Sequence, residues 1–180
     1  ARRRRVSSKT EAAAWDCAGV AVTGMSARSA LSRPPMATTS RIQSDAGTLT
    51  LSALNSVSGT NQNLTVAGAG NTTINGTITT GSGALTKNDA GTLTLKGANT
   101  YTGATAINGG ILSVVSLANG AVASNIGQST SAAANLVLNG GTLRYTGIAA
   151  STDRLFSAGA SGGTLDASGT GALNFTNTGA

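Results

Sequence analysis

Two aspartates have a spacing that could support chemistry. Asp45 and Asp89 each begin an identical phrase, Asp-Ala-Gly-Thr-Leu-Thr-Leu, so a repeating fold would place them at equivalent positions. If they lie two layers apart in a stack of strands spaced ~4.8 Å apart, about 9.6 Å separates them. Inverting glycoside hydrolysis uses two carboxyl groups at roughly 6.5–9.5 Å. The pair is therefore the candidate for a carbohydrate-processing enzyme, although repetition of the scaffold accounts for it without chemistry.

The residue inventory excludes several other kinds of site. The chain has no His, which removes Ser-His-Asp and Cys-His catalysis and the commonest ligand of transition metals. Its one Cys, Cys17, cannot form an internal disulfide or a thiolate zinc site. The glycines follow neither a phosphate-loop pattern nor a dinucleotide-binding pattern. We therefore expect no catalytic, cofactor-binding or metal-binding residues and no cofactor.

Tyr101 is a further candidate because of its setting, Asn99-Thr100-Tyr101-Thr102-Gly103. An exposed Tyr ring could stack on a ligand. The simpler interpretation is a corner of the fold, in which Asn99 caps the turn and Tyr101 covers a layer.

Asp153, Arg154 and Asp166 are the remaining charged candidates. Asp153 and Arg154 are neighbours, and neighbouring residues on a strand point to opposite faces, so we interpret them as a solvated turn rather than a catalytic pair. Asp166 follows two glycines, as in calcium-binding Gly-Asp repeats, but a single carboxylate supplies too few oxygen ligands for calcium.

The positive charge divides the chain into two parts. All of the net charge of +6 lies within residues 1–41, since residues 42–180 contain four basic and four acidic side chains. Residues 1–41 show no hydrophobic period and no continuous apolar stretch typical of a secretory signal. We interpret them as a basic leader that is disordered or not native and adds no folding energy. Binding of anionic membrane or nucleic acid by this leader is the alternative.

Residues 42–180 repeat a short β pattern. The phrase at Asp45 and Asp89 has echoes in which Gly precedes a small or β-branched residue and then Leu or Ile, at 108–112, 139–143 and 161–165. Within the phrase Leu and Thr alternate, which places the Leu side chains on one face and the Thr side chains on the other. Few aromatics, short strands and Gly/Asn corners favour a β-solenoid of about 20 residues per turn, roughly seven turns in all. We predict that Leu49, Leu51, Leu93 and Leu95 point inward.

One long segment carries a family resemblance. Residues 83–103 read GALTKNDAGTLTLKGANTYTG, and the similarity continues through Val114. The segment resembles the autotransporter-associated β-strand repeat of bacterial passenger domains, with Asp89 where Gly is common. The residues from Thr152 to Gly179 are similar to the stretch that often follows such repeats. The resemblance implies a right-handed parallel β-helix, exported by a Gram-negative cell and anchored by a C-terminal outer-membrane barrel that lies outside this sequence.

These observations predict an all-β protein with a leader at 1–41 and an open-ended β-helix at 42–180. The expected function is that of a non-enzymatic stalk or adhesin-like segment at the cell surface, and the carbohydrate-processing enzyme using Asp45 and Asp89 is the alternative. The expected partners are neighbouring β-helix turns, the barrel, and host or cell-surface ligands, but no nucleic acid.

Overall fold

The computed structural model describes residues 39–179, which form an all-β fold with a single 3₁₀ turn at Ala133–Asn135. The strands in chain order are β1 (Thr39–Gln43), β2 (Thr48–Leu51), β3 (Asn55–Ser58), β4 (Asn63–Ala67), β5 (Asn71–Ile74), β6 (Thr77–Thr79), β7 (Leu85–Lys87), β8 (Thr92–Leu95), β9 (Thr105–Ile107), β10 (Ile111–Val114), β11 (Leu136–Leu138), β12 (Thr142–Tyr145), β13 (Ala150–Thr152), β14 (Ser157–Ala158), β15 (Thr164–Ala167) and β16 (Leu173–Phe175). Each strand is short because Gly, Asn and Asp interrupt the alternation of apolar and polar residues every few positions.

The strands stack in parallel into three sides. One six-stranded sheet, side A, has the order β1-β4-β7-β9-β11-β14, and a second, side B, has the order β2-β5-β8-β10-β12-β15. Two smaller sheets, β3-β6 and β13-β16, form side C at the two ends. Every strand pair is parallel, and each coil of chain, here called a rung, contributes one strand to side A and one to side B. The predicted parallel β-solenoid is confirmed.

The stack has six rungs in the described residues, rather than about seven. Leu85 on side A pairs with Thr105, twenty residues further along the chain, as the sequence repeat predicts. Thr105, however, pairs with Leu136, thirty-one residues further along. The extra chain forms an insertion at residues 115–132, which follows β10 and occupies side C where a strand would otherwise lie. The predicted number of rungs was too high because the repeat length is not uniform.

Side chains fill the interior in columns, because each inward residue lies beside its partner in the next rung. One column runs along side B and consists of Leu49, Thr72, Leu93, Leu112, Leu143 and Leu165. The predicted inward residues Leu49, Leu51, Leu93 and Leu95 are all buried, so this prediction is confirmed. Leu165 in the last rung is 38% exposed, since no further rung covers it in the described residues.

The first strand begins before the predicted end of the leader. Thr39, Ser40 and Arg41 pair with Asn63, Leu64 and Thr65 of β4, so these three leader residues belong to the first rung and the boundary after Arg41 falls within β1. The rest of the predicted leader, residues 1–38, lies outside the described residues. Within residues 39–179, no helix has the length and apolar character needed to cross a membrane.

Candidate functional site

Asp45 and Asp89 occupy the same corner of the solenoid, between side A and side B. Their phrases form β2 and β8, which lie on either side of β5, so the two aspartates are two rungs apart, as the sequence predicts. Extending the pairing of side B places Gly68 between them, and the φ of Gly68 is +105°. A Cβ atom at Gly68 would clash with the Ser44 main chain. Only glycine therefore fits at position 68.

The Asp89 carboxylate takes part in the turn that holds it. Its backbone adopts a left-handed conformation, with φ +61°, which Gly adopts more readily than other residues. Oδ2 of Asp89 accepts a hydrogen bond from the Gly68 N–H at 3.0 Å, which ties the turn to the preceding rung. The Arg41 guanidinium lies 3.7 Å from the same oxygen, and both side chains are about half exposed. This cation came from the part of the chain that sequence reasoning assigned to the leader.

Asp45 is held differently. Its Oδ1 accepts a hydrogen bond from Nε2 of Gln43, and Oε1 of Gln43 in turn accepts one from Nε of Arg41 at 2.9 Å. Asp45 and Asp89 are both exposed. A working acid and base pair needs one carboxyl kept protonated by an apolar setting. Here both side chains lie at an exposed corner and accept hydrogen bonds, Asp89 from the Gly68 N–H and Asp45 from Gln43.

Tyr101 lies inside the fold and presents no ring face to a ligand. The side chain is fully buried, and its hydroxyl is 2.7 Å from Oγ1 of Thr105. Burial raises the pKa of the Tyr101 hydroxyl far above its usual range, so it stays protonated. Asn99 accepts a hydrogen bond from the Ile78 N–H at 2.8 Å and donates one to the Asn125 carbonyl at 2.6 Å, so it joins the rungs on either side. Tyr101 covers a rung, as predicted, whereas Asn99 joins neighbouring rungs rather than capping its own turn.

Arg154 is buried, so its interpretation as part of a solvated turn was wrong. Nε donates to the Ala118 carbonyl at 2.9 Å and Nη1 donates to the Ser129 hydroxyl at 2.9 Å. Nη2 donates to the carbonyls of Asn119, Val122 and Gly127. The guanidinium therefore satisfies the backbone of the insertion, whose irregular course leaves carbonyls without strand partners. Burial lowers the pKa of Arg154, and nothing in the alternation of the sequence signals this role.

Asp153, the neighbour of Arg154, is half-buried and closes the insertion from the other side. Its Oδ1 accepts a hydrogen bond from the Gly120 N–H at 2.6 Å. Its own N–H donates to Oδ1 of Asn119 at 3.0 Å. The adjacent pair therefore clamps one segment of main chain rather than facing a substrate.

Asp166 forms an ion pair with Arg144 on the neighbouring rung. It lies beside Arg144 in the pairing of β12 with β15, and Nε of Arg144 is 2.7 Å from Oδ2 of Asp166. This hydrogen bond holds the pKa of the Asp166 carboxyl below its usual value. Among residues 39–179, no three His, Cys, Asp or Glu side chains cluster so that they could hold a metal ion. The partner of Asp166 is thus a cation of the chain itself.

Lys87 is a buried charge that sequence reasoning did not identify. Its Nζ donates to the carbonyls of Asn88 at 2.6 Å, Asp89 at 2.8 Å and Gly109 at 3.3 Å. Burial lowers the pKa of Lys87, and the nearby Asp89 charge partly opposes that shift. The signal was present, because the alternation in Leu85-Thr86-Lys87 places Lys87 on the inward face with Leu85.

The outward face of side B carries rows of short polar side chains. Thr50, Thr73, Thr94 and Ser113 form one row along four successive rungs, and Arg144 and Asp166 continue it. All of them are partly exposed. Such a row offers four equivalent hydroxyl groups, one on each of four rungs.

Comparison with known families identifies the repeat. Residues 42–62 and 85–114 match the family model of the passenger-associated-transport-repeat. The first segment covers most of the first rung, and the second covers β7 to β10, including the phrase at Asp89. No curated protein and no solved structure matches the chain. These two segments are therefore passenger-associated-transport repeats, which are the repeats of autotransporter passenger domains.

Proposed function

We propose that this chain is a structural stalk segment of an autotransporter passenger, displayed at the surface of a Gram-negative cell and without catalytic activity. The observation that supports it best is the use of the buried charges. The Lys87 ammonium donates three hydrogen bonds to carbonyls at a corner, and the Arg154 guanidinium donates five within the insertion. A segment whose polar groups hold rung to rung suits a rigid spacer.

The alternative of a carbohydrate-processing enzyme depends on Asp45 and Asp89. Their register is the one observation that favours it, since two rungs bring the carboxylates near the separation that inversion requires. Against it, both side chains are exposed, and Gly68 between them offers no group to bind a sugar. We therefore place the pair in the scaffold.

In the parent protein, the stalk would stack on neighbouring rungs and connect to a C-terminal outer-membrane barrel. Adhesion to host or cell-surface ligands would use the outward row of Thr and Ser on side B, through many weak polar contacts. Each exposed hydroxyl adds little by itself, so binding would depend on the length of the row.

A display experiment tests the stalk function. The full chain is inserted between the N-terminal passenger rungs and the barrel of another autotransporter, and a tag upstream of the insert is probed with protease on intact cells. We expect the tag to be exposed and removed by the protease. The matched Leu93→Asp variant buries an unpaired charge and should block display. Equal display of both chains, or of neither, would contradict a folded stalk.

A separate assay tests the absence of catalysis. The full chain and the double variant Asp45→Asn, Asp89→Asn are incubated with a panel of bacterial and plant polysaccharides, and released reducing ends are measured. We expect no release from either protein. Release by the natural chain that disappears in the double variant would replace the stalk by the enzyme.

A further inference from the structure

Four Asn-Gly dipeptides occur in the described residues, at 75–76, 108–109, 119–120 and 139–140. In such a dipeptide the main-chain nitrogen of Gly can attack the side-chain carbonyl carbon of Asn, because Gly has no Cβ atom to obstruct the approach. The attacking nitrogen must first lose its proton, so a hydrogen bond that this N–H donates protects the dipeptide. The four sites have the same sequence and differ in this respect.

Three of the four glycine N–H groups are engaged. Gly76 donates to the buried hydroxyl of Ser56 at 3.0 Å. Gly120 donates to Oδ1 of Asp153 at 2.6 Å, and Gly140 donates to the Gly162 carbonyl at 2.7 Å. Each acceptor comes from another part of the stack or insertion, so the fold itself supplies the protection.

The fourth, Gly109, donates no main-chain or side-chain hydrogen bond within residues 39–179. The preceding Asn108 is exposed, at the corner between β9 and β10. Asn108–Gly109 is therefore the one dipeptide of the four whose glycine N–H no acceptor in these residues protects.

We propose that Asn108 is a site of spontaneous modification, where the Asn108–Gly109 dipeptide forms a succinimide and deamidates. A bond forms between the Gly109 nitrogen and Cγ of Asn108, the bond from Cγ to Nδ2 breaks, and ammonia leaves. The proton of the Gly109 nitrogen passes to solvent. Water then opens the ring, which yields aspartate or isoaspartate at position 108.

The modification changes the middle of the stack. Nδ2 of Asn108 now donates to Oδ1 of Asn88 at 3.0 Å, and the product has no amide to do so. The new carboxylate lies at the same corner as Asp89, one rung further along, and adds a negative charge there. Isoaspartate also lengthens the main chain by one carbon within the turn. Deamidation thus loosens the contact between the third and fourth rungs.

The test is a time course at mildly alkaline pH, with the full folded chain and peptide mass spectrometry at all four sites. We expect a mass gain of one dalton at Asn108. Its rate should exceed the rates at the other three sites roughly fivefold or more, which is the factor that the free energy of one net hydrogen bond represents. Equal rates at the four sites, or no gain at Asn108, would overturn the proposal. In urea the four rates should converge, because unfolding removes the protection.

Two variants sharpen the test. Asn108→Gln should abolish the fast phase and leave the other sites unchanged. Ser56→Ala removes the acceptor of the Gly76 N–H, so Asn75 should become a second fast site while circular dichroism stays that of the natural chain. If Asn75 remains slow in this folded variant, the hydrogen bond is not what protects these dipeptides, and the assignment of Asn108 fails with it.

Discussion

Asp45–Leu51 and Asp89–Leu95 are identical in sequence, yet they differ in structure. In the first copy Gly47 adopts the left-handed conformation, with φ +69°, whereas in the second Asp89 does so, with φ +61°. Leu49 and Leu51 retain 9% exposure, while Leu93 and Leu95 retain 0% and 1%. The same seven residues therefore form two different turns and two different degrees of burial.

The neighbours of each copy explain the difference. The first copy forms β2, which within residues 39–179 lies at the edge of side B and pairs with β5 alone. The second forms β8, which pairs with β5 on one side and β10 on the other. Its Asp89 carboxylate reaches the Gly68 N–H of the rung before it. Position in the stack, rather than local sequence, decides how the phrase folds and how much stability it contributes.

Truncation of matched Leu residues should give the largest effect. Leu93→Ala leaves a cavity that rungs on both sides enclose, so we expect a loss of about 3 kcal/mol in the free energy of unfolding. Leu49→Ala opens toward the end of the stack, where the chain can relax, and should cost about half as much. Denaturant unfolding of both variants measures the difference. An equal loss would mean that the two copies are energetically equivalent.

The contrast between enclosed and open positions extends to two arginines. Arg154→Met leaves several carbonyls of the insertion without a donor, and we expect a loss of about 3 kcal/mol. Arg144→Met removes only the exposed pair with Asp166, and such pairs add little to stability. Thermal unfolding of the two variants provides the comparison. A midpoint for Arg154→Met as high as that for Arg144→Met would show that the buried guanidinium does not hold the insertion.

Thr72 lies between Leu49 and Leu93 in the same inward column. Its Oγ1 is the one buried side-chain polar atom without a hydrogen bond in the part of the chain that the structure describes. Thr72→Val should therefore raise the free energy of unfolding by about 1 kcal/mol, because it removes an unsatisfied hydroxyl from the interior. Thr73→Val, on the outward face of the same strand, is the control and should change little. A loss on Thr72→Val would indicate that the hydroxyl has a partner.

The two aspartates should respond differently to substitution by alanine. Asp89→Ala keeps a residue with a Cβ at φ +61° but removes the carboxylate that accepts the Gly68 N–H. We expect it to lower the free energy of unfolding by about 1 kcal/mol. Asp45→Ala changes an exposed position without a positive φ and should fall within about 0.5 kcal/mol of the natural chain. Urea unfolding measures both. Similar losses at the two positions would refute the assigned difference between the turns.

Features that depend on a local, periodic pattern can be predicted from the sequence. The alternation of Leu and Thr was enough to predict strands β2 and β8, the inward Leu residues and the equivalent positions of Asp45 and Asp89. It failed for Arg154, because the acceptors of that guanidinium lie 25 to 36 residues away in an insertion that has no period. The choice between Gly47 and Asp89 as the left-handed residue was also beyond reach, since the two phrases are identical and only the neighbouring rungs differ.

Hydrogen exchange within the two identical phrases tests most directly whether position in the stack decides stability. The amides of Thr48–Leu51 and Thr92–Leu95 have the same local sequence and hence the same intrinsic exchange rates, so any difference in protection comes from the fold. We predict that mass spectrometry of the natural chain will find Thr92–Leu95 exchanging far more slowly than Thr48–Leu51. Equal protection of the two segments, or slower exchange at Thr48–Leu51, would contradict the account.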